Sequence, residues 1–214
     1  FPNLLPKRYL RCNLYGRTQV AEVLAPIAEY PEIQFSLKMR LGWENASECM
    51  VLVELLNAIR LSRIALHART GKQQYKGHPD LEAFQGFYEL CQHPLYYNGG
   101  IESLSDIRQI LIRFPLLKGV FIGRGLLSSP LLAKEFKGNE TFLPEQRMSI
   151  YFAFHEELFS AYSQVLQGET QLLVKMKTLW EYFLPETDRK LLKRIKKSTR
   201  LQQYTESVKA IFTS

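Results

Sequence analysis

The chain has 214 residues, enough for one large domain or a medium one with an appendage, and 46% hydrophobic with 23% charged residues describes a globular protein rather than a disordered or fibrous one. Lys plus Arg number 28 against 21 Asp plus Glu, a formal charge of +7 that favours polyanionic partners. No apolar run approaches the roughly 18 residues of a membrane span, and three scattered cysteines, Cys12, Cys49 and Cys91, make neither a disulfide framework nor a CxxC metal site; the expectation is a cytoplasmic protein with no membrane contact and no metal.

The opening "FPNLLPKRYLRC" lacks a methionine and a clear first element, and reads as the middle of a longer polypeptide. From Arg17, "RTQVAEVLAPIAEYP" spaces Val20, Val23, Leu24 and Ile27 as an amphipathic helix closed by Pro31. "IQFSLKMRL" (33–41) alternates Phe35, Leu37, Met39 and Leu41 with Ser36, Lys38 and Arg40, a strand pattern. "SECMVLVELLNAIR" is helical in period, and "RIALHAR" is a short buried strand. Helix and strand then alternate through "DLEAFQGFYELCQ", "LYYNGG", "SLSDIRQILIRF", "GVFIGRG" and "PLLAKEF". Four strands alternating with helices predict right-handed βα units on a parallel sheet. After Gly138 only helical period remains, with breakers near Gly168 and Pro185. A boundary near residues 137–143 therefore divides an α/β domain (1–140) from an all-α helical bundle (141–214).

Each predicted strand ends in polar residues: Lys38 and Arg40, His67 and Arg69, Asn98 with Gly99 and Gly100, and Gly123, Arg124 and Gly125. In parallel α/β folds that edge binds ligands. The "NGG" and "GRG" turns each follow a strand and precede a helix, where glycine admits close approach of an anion to backbone amides, and Arg124 adds a charged fork. Taken singly, Lys38 reads as a rim cation and His67 as a structural donor. Their shared place at neighbouring strand ends favours a ligand site.

The ordered motifs "FSLKMRLGW", "LHARTGKQQYKG", "YYNGGI" and "GVFIGRGLLSSP" resemble the second half of a tRNA-dihydrouridine synthase, and "KMKTLWEYF" resembles that family's helical appendage. The resemblance implies a partial (β/α)8 TIM barrel, its last four strands, followed by the helical bundle. It also implies FMN as cofactor, NADPH as reductant, and reduction of uridine to 5,6-dihydrouridine in tRNA. By position, Lys38 would lie by the flavin pyrimidine ring, His67 would hydrogen-bond the flavin, and Asn98, Gly99 and Gly100 would match the Asn-Gly-Asp turn beside the FMN phosphate. Gly123, Arg124 and Gly125 would complete that cradle. Gly100 replaces the aspartate. The family's Asn-x-Gly-Cys-Pro motif, with its proton-donating cysteine, is missing, and Cys12 does not take its place, so no catalytic residue is assigned.

Four parallel strands cannot close a barrel, so self-association through open edges, or an incomplete or inactive fragment, is expected. The basic run "RKLLKRIKKSTR" (189–200) cannot lie on one helix face, yet Lys193, Arg194, Lys196 and Lys197 suit phosphate contacts. Arg40, Arg69, Lys72, Tyr75 and Lys76 are expected at the same RNA, with Tyr75 stacking on a base of a swung-out substrate. Two other readings stand beside this one: a barrel oxidoreductase of a small metabolite, and a non-catalytic RNA-binding remnant.

Overall fold

The computed structural model describes residues 17–213; the expectations on Cys12 and the opening stretch fall outside them. Helix α1 (Arg17–Leu24) is cut short by Pro26, which has no amide hydrogen and crowds the preceding turn, so the chain tightens to 3-10 geometry over Ala25–Glu29. Strand β1 (Ser36–Gly42) follows the predicted alternation. The helix predicted from Ser47 is instead a 3-10 segment over Ala46–Leu52 that becomes helix α2 only at Val53–Asn57. Ser47, Cys49 and Val51 are weak helix formers, and the Glu48 carboxylate is drawn back onto the amides of Trp43, Glu44 and Asn45.

Strand β2 (Arg63–Thr70), helix α3 (Leu81–Leu90), strand β3 (Leu95–Asn98), helix α4 (Leu104–Arg113) and strand β4 (Gly119–Phe121) complete the predicted alternation. Asp80 starts α3 by accepting the Ala83 N–H at 2.9 Å. All four strands lie parallel, in the order β1-β2-β3-β4. The register pairs Met39 with Leu66, Leu66 with Tyr97 and Tyr97 with Val120, which sets one apolar face. Leu41, Ile64, Leu66, Ala68, Leu95 and Tyr97 are buried on it, as are Phe84 and Phe87 of α3, Ile107 and Ile110 of α4, and Phe114. The Phe84 ring meets Tyr97 and Phe114 edge-on at 4.9 and 5.0 Å.

By contacts the chain divides into two compact units: one runs to Ile101 and resumes over Ser105–Ile122, and the other holds Glu102–Leu104 and everything from Gly123 on. That division falls earlier than the boundary expected near residue 140. Helices α5 (Arg124–Ser128) and α6 (Leu132–Gly138) read as one more βα step, yet their neighbours are helical. Leu131 enters the helical core, Ser129 Oγ and Tyr151 Oη share a hydrogen bond of 2.7 Å, and buried Glu135 is ion-paired with Arg147. Helices α7 (Pro144–Val165), α8 (Glu169–Leu179), α9 (Arg189–Lys197) and α10 (Leu201–Phe212) supply the rest. Their core gathers Tyr151, Leu172, Met176, Trp180, Phe183, Ile195, Tyr204 and Val208.

Candidate functional site

The register that builds the apolar face lays out the opposite face in two rows. Lys38 pairs with Ala65, Ala65 with Tyr96 and Tyr96 with Gly119; one step towards the C-terminal ends, Arg40 pairs with His67, His67 with Asn98 and Asn98 with Phe121. Paired residues in a parallel sheet point the same way, so Lys38, Arg40, His67 and Asn98 share one face. Lys38 is exposed at the edge strand, and its pKa is lowered by partial desolvation and then by the Arg40 charge. Asn98 is fixed by donating from Nδ2 to Phe121 O at 2.8 Å. Tyr96 packs edge-on against Phe121 at 5.5 Å and lies across Gly119, where a Cβ would come 3.2 Å from its ring.

The turn after β3 closes over this row. Gly99, at φ 142°, leaves room that a Cβ would fill against Tyr97 Oη at 3.3 Å and His67 Cδ2 at 3.4 Å. Gly100 is left-handed at φ 59°, and a Cβ there would stand 2.9 Å from Pro79 Cγ. The missing aspartate side chain at position 100 thus coincides with a Pro79 ring seated on the turn.

Two arginines clamp the loop after β2. Arg40 donates from Nη1 to Thr70 O at 2.6 Å and to Gln74 O at 3.4 Å, while Arg69, only 4% exposed, donates from Nη1 to Lys76 O at 2.7 Å. Gln73 adds bonds from Nε2 to Lys76 O and His78 O at 2.9 and 2.8 Å. Arg69, expected at an RNA phosphate, is therefore a buried strut of the loop. Arg40 is half-buried with its guanidinium on loop carbonyls, a second correction. Lys72 is ion-paired with Glu44 at the surface. Tyr75 projects at the tip, 59% exposed, with its ring 5.9 Å from the Arg40 guanidinium and 6.4 Å from the His67 ring; Lys76 is exposed beside it.

Sequence reasoning missed the residues that shape this edge. Glu48 accepts the N–H groups of Trp43, Glu44 and Asn45 at 2.7, 3.0 and 2.6 Å; desolvation raises its pKa, but the Asn45, Trp43 and Glu44 bonds outweigh that and hold it low. Gly71 lies against the Trp43 indole, and its amide donates to Gly42 O at 2.8 Å. The glycine pair at 42 and 71 beside a tryptophan was the available signal. Cys49 is buried and its thiol is pushed up to about 11 by desolvation, so it is no nucleophile at neutral pH. Among the described residues no cluster of His, Cys, Asp or Glu could hold a metal ion, and no helix is long and apolar enough to cross a membrane.

The remaining expected residues belong to the second unit. Gly123 is the N-cap of α5, Arg124 opens it and Gly125 is buried within it. On α9, Lys193, Arg194 and Lys197 line an open groove together with Lys190, which the sequence reading did not select; Lys196 does not line it.

The sequence model of the family described as dihydrouridine synthase (Dus) matches residues 12–213. A probable tRNA-dihydrouridine synthase of Rhizobium leguminosarum bv. phaseoli is 35% identical over 100 residues, covering 46% of this chain and 31% of that protein. One from Aquifex aeolicus is 33% identical over 128 residues, 60% of this chain and 40% of its own. A tRNA-dihydrouridine(16) synthase of Haemophilus ducreyi is 30% identical over 127 residues, 59% and 38% respectively. The chain spans two fifths or less of the length of these relatives.

Proposed function

The chain belongs to the dihydrouridine synthase family, and from that premise we propose that its polar sheet face is part of a flavin site serving the reduction of uridine to 5,6-dihydrouridine in tRNA, with FMN as cofactor and NADPH as reductant. The observation that carries the reading is the row Arg40, His67, Asn98 at one level of three adjacent strands, with Lys38 one step below on the same face. The residues fit the group: the face holds cations and hydrogen-bonding side chains at a carboxyl edge of parallel strands, and the space beside Gly99 is bounded by His67 Cδ2 and Tyr97 Oη. When bound, FMN supplies the hydride chemistry and NADPH renews it.

Lys38 faces that site with an ammonium whose charge is disfavoured by partial burial and by Arg40, so a neighbouring negative charge restores what the site costs it. His67, 7% exposed, is held at the floor of the face to bond a heteroatom of the ring system. Asn98 is pre-oriented by its bond to Phe121 O, which leaves its side-chain oxygen directed by the sheet rather than by solvent. Gly99 and Gly100 bring main chain, not side chain, towards the ligand. The family resemblance extends the phosphate contacts to Gly123, Arg124 and Gly125, which follow β4 in the chain. Tyr75 and Lys76, exposed on a loop braced by Arg40 and Arg69, are offered to the RNA. Neither Cys49 nor Cys91 is proposed as proton donor, since burial raises both thiols.

The test is Lys38→Met, titrated with FMN by fluorescence quenching and assayed for dihydrouridine in tRNA in the longest form of the protein that contains this chain. Weaker FMN binding, or FMN that binds normally but is reduced by NADPH at least tenfold more slowly, is expected. Parent-like affinity together with parent-like reduction would remove Lys38 from the site and, with it, the reading of this face.

A further inference from the structure

The second unit carries a groove of about 440 Å³ lined by Lys190, Lys193, Arg194 and Lys197 on α9 and by Gln203 and Glu206 on α10. Positions 190, 193, 194 and 197 recur at the i, i+3, i+4, i+7 spacing of one helical face, whereas Arg189 and Lys196 fall off it. The opposite face of α9 is spent on the core: Ile195 is fully buried, and Leu191 and Leu192 pack against the same cluster. The charged face is thus held in place by packing, and its far end is tied down because Lys177 Nζ donates to Ser198 O at the α9 C-cap.

None of the four cations makes an ion pair among the described residues, and the one carboxylate in the groove, Glu206, instead accepts from Gln202 Nε2 at 3.0 Å. Four cations against one carboxylate leave a net +3 around a single concavity. Gathering like charges this closely is unfavourable unless something negative shares the space. Lys190 to Lys197 spans about 10 Å along the helix axis, longer than one small anion. The donors are flexible ammonium and guanidinium groups, and no backbone amide of a fixed nest is among them, which suits a repeating polyanion better than a single specific phosphate. A membrane surface is disfavoured because the apolar side of α9 is already in the core and has nothing left to insert.

We propose that the α9–α10 groove seats a stretch of RNA phosphodiester backbone. The proposal rests on the tRNA reading above and locates in Lys190, Lys193, Arg194 and Lys197 a sequence-independent contact away from the reacting base. Its test uses the whole chain and an unmodified tRNA transcript, with binding followed by fluorescence anisotropy across a salt series. One variant carries Lys190→Ala, Lys193→Ala, Arg194→Ala and Lys197→Ala; a charge-matched control carries Lys137→Ala, Arg189→Ala, Lys196→Ala and Lys209→Ala. The groove variant should flatten the slope of log K against log salt by about 3, given 0.7 to 0.9 per phosphate contact, and bind at least tenfold more weakly at physiological salt, with its FMN affinity unchanged; the control should keep most of the parent slope. Equal slopes for variant and control, with tRNA still bound, would overturn the groove and leave the tRNA reading standing. A parent chain that binds tRNA no more tightly than it binds free inorganic phosphate would overturn both.

Discussion

Replacing Tyr204 with Phe tests whether the helical core is organised by a polar lock at its centre. His155, Trp180 and Tyr204 are 1%, 2% and 0% exposed, and one hydroxyl joins them. Indole nitrogen can only donate, so Trp180 Nε1 gives its hydrogen to Tyr204 Oη at 3.0 Å, and the Tyr204 proton goes to His155 Nε2 at 2.6 Å. Nε2 is then the acceptor, and Nδ1 carries the hydrogen donated to Glu156 Oε1 at 3.1 Å. Tyr204→Phe keeps the ring and strands two buried polar atoms, each worth roughly 1–3 kcal/mol. A loss of about 3 kcal/mol is expected, or roughly 6–12 °C in Tm for a chain of this size. Urea unfolding in a Trp43→Phe background, where Trp180 reports alone, is the assay. The same lock sets a pH dependence. Burial lowers the His155 pKa, and the bond and charge of Glu156 only partly oppose this. The unfolded chain therefore takes up a proton near pH 6.5 that the folded one refuses, so this contribution is complete above that pH and is lost as pH falls through it, by at most about 1.4 kcal/mol per unit. A Tyr204→Phe midpoint within about 0.5 kcal/mol of the parent, or a parent stability that does not decline from pH 7.5 to 5.5, would refute the reasoning.

At Gly71 a Cβ would overlap Trp43 Cε3 and stand 2.8 Å from Cζ3; Gly71→Ala should cost about 1–3 kcal/mol and shift Trp43 emission, and unchanged emission with unchanged Tm would contradict the packing described. Arg69→Met removes the guanidinium that holds Lys76 O and should cost about 1.5–3 kcal/mol, with hydrogen exchange accelerated over residues 72–80 and not in β3; uniform protection in that loop would mean Arg69 does not brace it.

The alternation of strands and helices was legible because period-2 and period-3.6 burial leave different marks. The apolar face of the sheet is spelled out by Leu37, Met39, Leu41, Ile64, Leu66 and Ala68. What sequence could not reveal was the destination of a guanidinium. An arginine that meets a phosphate and one that meets a backbone carbonyl look alike until the loop is folded, and both Arg40 and Arg69 end on carbonyls of residues 70–76. The same limit explains the unit boundary: "PLLAKEF" has the period of any helix, and only the contacts of Leu131 and Glu135 reveal its company. On α9 the charge run was obvious, but the choice of Lys190 over Lys196 needed the neighbouring helix to define a groove.

The two rows on the polar face distinguish a site from a merely tolerated set of polar residues. Parallel sheets covered on both sides are apolar on both sides. Here the lower row still contains Ala65, Tyr96 and Gly119 beside Lys38, while the upper row is Arg40, His67, Asn98 and Phe121. Polarity therefore rises along the strands in one direction, towards the ends where the Arg-braced loop and the Gly99–Gly100 turn converge. Stability alone would place such residues where water or a loop carbonyl satisfies each of them, and Arg40 and Asn98 are so satisfied. It gives no reason for a lysine one row below, on the same face and next to Arg40, at a position where both partial burial and the neighbouring charge disfavour its protonated form. Lys38 is the residue whose cost the fold itself does not offset, and a ligand carrying negative charge over this face supplies the missing term.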